Sequence, residues 1–253
     1  MRNVLTLAAA VGLLAGLAGR AAADEAAQAV IDKAVKAHGG IDNLKKFKDT
    51  AVHVKAKANI NQGGGIEANM EVFAGDKKFK QVLQFNINGM DITQVTCYDG
   101  KELWVAINGK VAMTIKDEKE LAAVKEEAQA DELAGLVLLK DKGVELSVIG
   151  DDKVDGKAVV GVRVSRKDRK DVSMYFDKET GLLVKTKSRM TDFLTKQEVE
   201  QEKILSDHKE DNGIKRAGKV LINRDGNKLL EAEILEVKFL DKLADDTFNK
   251  PSD

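Results

Sequence analysis

The chain has 253 residues, and 41 lysines and arginines stand against 42 aspartates and glutamates, a formal net charge of −1. This balance argues against nucleic acid as a partner, because binding to phosphates requires a basic surplus on one face. With one cysteine the chain forms no internal disulfide, so its hydrophobic core must stabilise the fold, which this length allows.

The first 23 residues have the order of a secretory signal peptide. Arg2 supplies a positive charge, residues 4–18 are mostly apolar, and Ala21-Ala22-Ala23 provides the small residues that a signal peptidase requires. The apolar part is about 15 residues, shorter than the roughly 20 that span a bilayer. We therefore expect cleavage near Ala23 and a mature chain, residues 24–253, that works in the periplasm or elsewhere outside the cytoplasm without a transmembrane anchor.

Helical spacing of apolar residues is confined to two regions. The first, residues 24–48, contains a helix from Ala26 to His38 that ends at Gly39-Gly40 and a short helix from Asp42 to Phe47. The second, residues 117–140, is a helical insertion with a break predicted near Ala130 and Asp131. The two regions supply the only helices predicted for the mature chain.

From Thr50 the apolar period changes from 3.6 to 2, which indicates strands with one apolar and one wet face. Asn-Gly and Asp-Gly pairs such as Asn88-Gly89 and Asn108-Gly109 separate the strands, and such pairs favour two-residue hairpin turns. We predict a mainly β (α+β) fold, a single domain of twelve or thirteen antiparallel strands. So large an antiparallel sheet must curl into a barrel or half-barrel, or split into two layers.

Residues with chemical function are sparse and scattered. The histidines, His38, His53 and His208, are far apart in the chain, have no metal-ligand spacing, and are predicted to lie at the surface. Cys97 is predicted to be a buried, inert thiol. Glu198, together with two further glutamates at strand spacing, is expected to form a solvated face opposite lysines. The sequence therefore predicts no catalytic, cofactor-binding or metal-binding residue.

The apolar faces of the strands are more informative than any polar motif. Their side chains either form an ordinary core packed under the helices or line a cavity with a removable cover. An unfilled apolar face forgoes roughly 1.5–3 kcal/mol per large side chain, and acyl chains recover about 0.8 kcal/mol per buried CH₂. The residues expected to line such a cavity are Val54, Ala56, Phe79, Leu83, Phe85, Val105, Met113, Met174 and Phe176. The residues expected to form a lid are Leu121, Val124, Leu133, Leu136 and Val137.

Four stretches resemble the bacterial lipoprotein-localisation family, which includes the outer-membrane lipoprotein carrier and lipoprotein-sorting proteins. They are residues 37–47, with their Gly-Gly and Leu-Lys pairs, Tyr98–Val105 (YDGKELWV), Tyr175–Leu182 (YFDKETGL), and Leu240–Pro251 with its closing Leu and Phe. The resemblance implies a curled half-barrel whose concave face is covered by the N-terminal helices and the helical insertion. None of the functional residues of the classical carrier matches a position in this chain.

Together the residues and the resemblance favour an exported, non-catalytic, carrier-like protein that holds a lipid or an acylated protein in a half-barrel cavity. The alternative is an envelope interaction or stress-sensor domain on the same fold that binds a protein partner and no lipid. An enzyme with an unrecognised site would require His, Cys, Asp or Glu side chains to cluster in a cleft.

Overall fold

The computed structural model describes residues 25–46, 49–59, 65–75, 77–167, 169–192 and 195–251. The predicted signal peptide with its cleavage site near Ala23 lies outside these residues, as does Phe47, the predicted end of the second helix.

Three α-helices and fifteen strands form the described part of the chain. The helices are α1 (residues 25–37), α2 (Ile41–Lys46) and α3 (Glu118–Ala134), and a 3₁₀ turn follows at Val137–Lys140. The strands are β1 (Asp49–Asn59), β2 (Gly65–Gly75), β3 (Lys78–Ile87), β4 (Met90–Tyr98), β5 (Leu103–Ile107), β6 (Lys110–Ile115), β7 (Val144–Val154), β8 (Lys157–Arg166), β9 (Arg169–Asp177), β10 (Leu183–Thr191), β11 (Glu198–Ser206), β12 (Lys209–Asp211), β13 (Ile214–Arg216), β14 (Lys219–Arg224) and β15 (Asn227–Leu240).

Thirteen of the strands form one curled antiparallel sheet that does not close into a barrel. The order is β6-β5-β4-β3-β2-β1-β15-β14-β11-β10-β9-β8-β7, so the last strand pairs with the first in the middle of the sheet. Strands β12 and β13 form a separate hairpin. The predicted mainly β half-barrel is confirmed, and its strand count matches that of the main sheet.

The hairpin turns explain why the meander forms. In Asn88-Gly89, Asn108-Gly109 and Asp155-Gly156 both residues have positive φ, between 48° and 82°. This conformation is that of the type I′ turn, whose twist matches the twist of the strands it joins. Short-range turn chemistry therefore sets the register of each hairpin.

The strand register collects the apolar side chains on the concave face. Val54 lies opposite Met70, and Met70 lies opposite Leu83 on the next strand. On the other side of β1, Ala56 pairs with Ala232 of β15. These residues form one apolar cluster in the middle of the half-barrel.

Helix α3 lies across this concave face. Its first turn is capped by Asp117, whose side chain accepts hydrogen bonds from the backbone N–H groups of Lys119 and Glu120. The predicted break near Ala130 and Asp131 is wrong, because the helix continues to Ala134 and the chain turns at Leu136, which has a left-handed φ of 68°. The 3₁₀ turn then leads into β7.

The main core lies where α1, the end of α3 and the 3₁₀ turn pack on strands β8 to β10. Ile31 and Leu133 are fully buried there against Met174 and Phe176 of β9. This half of the concave face is therefore filled by the protein's own helices.

The C-terminal tail covers part of the opposite, convex face. Phe248 packs against Cys97, Trp104 and Ala106, and Cys97 Sγ lies 3.6 Å from the carbonyl oxygen of Phe248. The backbone N–H of Leu243 donates to Asp49 at 2.6 Å, which fixes the start of the tail. The half-barrel thus has helices inside and the tail outside.

Candidate functional site: a cavity beneath helix α3

A cavity of about 660 Å³, partly open to solvent, separates α3 from the ends of strands β1 to β4. Its volume falls within the roughly 300–1,000 Å³ typical of small-molecule sites. The sheet contributes Thr50, Ala74, Gly75, Lys77, Lys78, Phe79 and Tyr98, α3 contributes Val124, Lys125, Ala128, Gln129, Asp131 and Glu132, and β9 contributes Arg169.

Aromatic side chains form the floor of this cavity. Phe79 and Tyr98 are directly opposite each other on β3 and β4, with ring centroids 6.2 Å apart. Tyr98 also packs against Leu121, and Val124 contacts the same apolar cluster from one turn further along α3. Both the sheet register and the helix therefore hold the floor in place.

A second cavity of about 700 Å³ adjoins the first. Both are lined by Gly75, Lys77, Lys78 and Glu132, so the turn between β2 and β3 is their common border. The walls of the second cavity come mainly from α2 and the C-terminal tail, including Leu44, Leu243 and Phe248.

Charged side chains attach the middle of α3 to the sheet. Lys203 of β11 donates to Asp131 Oδ1 at 2.6 Å and lies 3.4 Å from Glu127 Oε1. Gln201 donates to the same Glu127 oxygen at 3.1 Å, and Arg224 Nε donates to Gln201 Oε1 at 3.0 Å. The contact between helix and sheet here is thus a hydrogen-bonded ion network rather than an apolar interface.

The network shifts the pKa values of its charged members in different directions, and burial raises the pKa of Asp131 although Lys203 works to lower it. Burial alone would lower the pKa of Lys203, but the carboxylates of Asp131 and Glu127 outweigh burial and hold this pKa above its usual value. Burial works to raise the pKa of Glu127, yet Lys203 and Gln201 hold it below its usual value. We define these residues, Lys203, Asp131, Glu127, Gln201 and Arg224, as the lid latch.

The nine residues predicted to line a cavity lie on the concave face but in different surroundings. Phe79 lines the cavity beneath α3 itself. Val54, Ala56 and Leu83 belong to the central cluster, whereas Met174 and Phe176 are covered by the helices. The remaining three extend the face toward its free edge, where Met113 is 41 % exposed; they are Phe85, Val105 and Met113.

The five predicted lid residues fall into two groups. Leu121 and Val124 contact the aromatic end of the concave face, and Val124 also lines the cavity. Leu133 and Leu136 are buried in the main core, and Val137 lines the second cavity. Helix α3 therefore covers the cavity from Val124 to Glu132, and its end at Leu133 is buried in the main core.

The surface prediction for the histidines is wrong for His38, which is 9 % exposed. Its Nε2 accepts the backbone N–H of Leu183 at 3.0 Å, and its Nδ1 lies 2.7 Å from the carbonyl oxygen of Lys215. The ring therefore carries its proton on Nδ1 and links α1 to β10 and β13. His208 is half-buried beside it, with ring centroids 6.2 Å apart, whereas His53 is exposed as predicted.

Cys97 and the glutamates of β11 lie in the surroundings that the sequence predicts. Cys97 is fully buried, and burial raises the pKa of its thiol to about 12. Glu200 pairs with Lys187 at 2.8 Å on the convex face, so the glutamates form a solvated ladder. In the described ranges no three His, Cys, Asp or Glu side chains cluster as a metal site.

Neither a known family model nor a curated protein matches the sequence. Solved structures do match the fold. A DUF1329 family protein from Desulfovibrio piger superposes with a TM-score of 0.55 at 14% identity, covering 88% of this chain and 97% of its own. A LolA superfamily protein from Nitrosomonas europaea has the same TM-score and coverages at 12% identity.

The chain has a LolA-like fold. A domain from Vibrio parahaemolyticus, described as an outer membrane lipoprotein-sorting protein domain, agrees with this assignment: its TM-score is 0.53 at 12% identity, and the match covers 90% of this chain and 97% of that one. The LolA-like architecture confirms the fold implied by the sequence resemblance. None of the described helices is long and apolar enough to cross a membrane.

Proposed function

We propose that this protein is an exported, non-catalytic carrier that holds the acyl chain of a lipid or of an acylated protein in the concavity of its half-barrel. Residues 1–23 are removed on export, and residues 24–253 act as one domain outside the cytoplasm. The observation that carries the proposal is the cavity of about 660 Å³ between α3 and the aromatic floor of Phe79 and Tyr98.

The energetics of the concave face support this function. The wall of the cavity combines the rings of Phe79 and Tyr98 with the apolar side chain of Val124. An acyl chain gains about 0.8 kcal/mol for each CH₂ that it buries against such a surface. Eight buried CH₂ groups would therefore offset much of the free-energy cost of association, which lies between about 4 and 15 kcal/mol.

The attachment of α3 supports a lid that moves. Its first half contacts the aromatic end of the concave face through Leu121 and Val124, and its middle is held by the lid latch. The ion pairs at the middle of the helix can exchange for water without exposing apolar surface, whereas the two ends are held by the fully buried side chains of Leu121 and Leu133. The middle is therefore the part of α3 that separates from the sheet at the lowest cost.

A pair of alanines on α3 provides the test. Ala128 lines the cavity and Ala122 does not, while both are exposed on the same helix. Ala128→Trp should fill part of the cavity and displace about two CH₂ groups, which lowers the affinity for a fluorescent fatty acid about tenfold. Ala122→Trp should bind as the wild type does.

The outcome separates the two functions considered for this fold. Loss of affinity in Ala128→Trp alone supports the carrier. If purified wild-type protein binds no fatty acid, phospholipid or acylated peptide, the carrier proposal is wrong, and a protein-binding envelope domain becomes the better account.

A further inference from the structure

The border between the two cavities carries two lysines without an ion-pair partner among the residues that the structure describes. Lys77 is exposed in the turn between β2 and β3, and Lys78 begins β3 with its Nζ 5.7 Å from the centre of the Phe248 ring. Both line both cavities. Lys125 of α3 also lines the first cavity, but its Nζ is already paired with Glu118 at 3.3 Å.

The carboxylates of the first cavity do not offset the charges of Lys77 and Lys78. Glu132 accepts from Arg169 at 2.9 Å, and Asp131 accepts from Lys203 at 2.6 Å. Each anion is therefore already matched by a cation.

The second cavity differs from the first in its charge. There Asp49, Asp241 and Asp245 stand against Lys45 and Lys242, and Lys242 is paired with Asp245. The carboxylates of the second cavity thus disfavour an anion on that side, and the positive charges of Lys77 and Lys78 favour one on the side of the first cavity.

The apolar floor and the cationic border line the same cavity. An acyl chain along Phe79, Tyr98 and Val124 would end beside the lysine side chains of the turn. A cation at the mouth of an apolar pocket attracts an anion most strongly where the pocket wall excludes water.

We propose that the ligand is an amphiphile with one acyl chain and an anionic head group, and that Lys77 and Lys78 bind the head group. The inference rests on the carrier function proposed above and names the class of its cargo. Its shared chemistry is a negative charge at the end of an acyl chain, supplied either by the carboxylate of a free fatty acid or by the phosphate of a lysophospholipid. An inorganic anion alone would leave the apolar floor unfilled.

The test compares three probes that share an 18-carbon monounsaturated chain: oleate, oleoyl lysophosphatidylglycerol and the neutral monoolein. Each is titrated, below its critical micelle concentration, into the wild type and into Lys77→Glu/Lys78→Glu. The matched control is Lys55→Glu/Lys57→Glu, because both of these lysines are exposed on the convex face of β1. Lys77→Gln/Lys78→Gln serves as a milder variant if charge reversal prevents folding.

We expect the turn variant to weaken binding of the anionic probes about fivefold to tenfold, with monoolein unchanged, since each partly exposed charge contact is worth up to about 1 kcal/mol. Raising the salt concentration should lower the affinity of the wild type for the two anionic probes and leave its affinity for monoolein unchanged. If the substitutions at Lys77 and Lys78 weaken oleate binding more, the natural head group is a carboxylate. If they weaken lysophospholipid binding more, it is a phosphate.

Equal affinities for all three probes, or equal losses in the turn variant and the control variant, would overturn the head-group site while leaving the carrier function intact. Absence of binding by every probe would instead contradict the carrier function itself. The two failures are therefore distinguishable in one set of titrations.

Discussion

Lys203 of β11 reaches across the concave face to Asp131 of α3, with its Nζ 2.6 Å from Oδ1 and 2.9 Å from Oδ2. This contact joins a helix inserted after the sixth strand to a strand of the other half of the sheet. Half of the Asp131 side chain remains exposed, whereas Lys203 is 15 % exposed. Helix α3 is therefore held to the sheet by an ion pair in which Lys203 is more shielded from water than Asp131.

Removing the buried member of the latch should destabilise the protein. Lys203→Met removes the cation that pairs with Asp131 and leaves Glu127 with Arg224 at 3.9 Å, and we expect a loss of about 1–3 kcal/mol in the free energy of unfolding. Urea denaturation measures this loss. The control is Lys187→Met, which breaks an ion pair with Glu200 on the convex face and should cost less than about 1 kcal/mol. Equal losses in the two variants would contradict the role assigned to the latch.

The stability of the protein should fall between neutral and mildly acidic pH because of His38. Burial lowers the pKa of His38, and that of the neighbouring His208, below the usual value. As the pH falls, these histidines therefore become protonated in the unfolded chain before they do in the folded chain. Stability decreases as the pH falls through about 6.5 and continues to decrease until the folded histidines are protonated. Protonation of His38 would also break its hydrogen bond with the N–H of Leu183.

Substitution separates this histidine from the other acid-sensitive groups. In His38→Gln the decrease in stability between pH 7 and pH 5 should be smaller than in the wild type, as measured by urea denaturation at each pH. His53→Gln, at an exposed position, should leave the pH profile unchanged. Glu127 affects stability at lower pH than the histidines do. Its pKa in the folded protein is below the usual value, so its contribution to stability is lost only as the pH falls through that pKa. An unchanged slope in His38→Gln would contradict this account.

The C-terminal tail should protect the buried thiol. Phe248→Ala removes the ring that packs on Cys97 and Trp104, with an expected loss of about 1–3 kcal/mol, since the ring is only partly buried. The thiol should then react faster with a disulfide reagent at pH 8, because burial no longer raises its pKa to about 12. Leu235→Ala, at a 49 % exposed site, is the control. Identical reaction rates in the two variants would show that the tail does not shield Cys97.

Local signals in the sequence were sufficient to predict the strands and hairpins. Alternating residues such as Val52, Val54 and Ala56 do share one face, and turns such as Asn88-Gly89 adopt the conformation that their sequence favours. Each of these features depends on neighbours in the chain. The long-range pairing of β1 with β15 depends on the whole sheet, and the sequence pattern contains no direct signal for it.

The polar parts of the site were not predictable in the same way. Lys203 and Asp131 are 72 residues apart, and the sequence around neither residue identifies the other as its partner. The residues around His38 gave no sign of burial, because its partners are backbone groups of Leu183 and Lys215. A charge on an otherwise apolar face, as Lys203 is next to Leu205 in the strand alternation, was the one available clue.

The sequence also did not predict which half of the concave face is filled by the helices. Met174 and Phe176 have the same alternation as Phe79, yet α1 and the 3₁₀ turn cover the first two and leave the third beside a cavity. Periodicity identifies the apolar face of a strand but not what packs on it. Which part of the face stays open is decided by where the helices dock.

The most direct test of the central claim is native mass spectrometry of the mature protein purified without detergent from the envelope fraction. We expect a population heavier than the polypeptide by the mass of an acylated ligand, and a smaller such population for Ala128→Trp than for Ala122→Trp. A protein that carries no lipid, and gains none after incubation with oleate or lysophosphatidylglycerol, would contradict that claim.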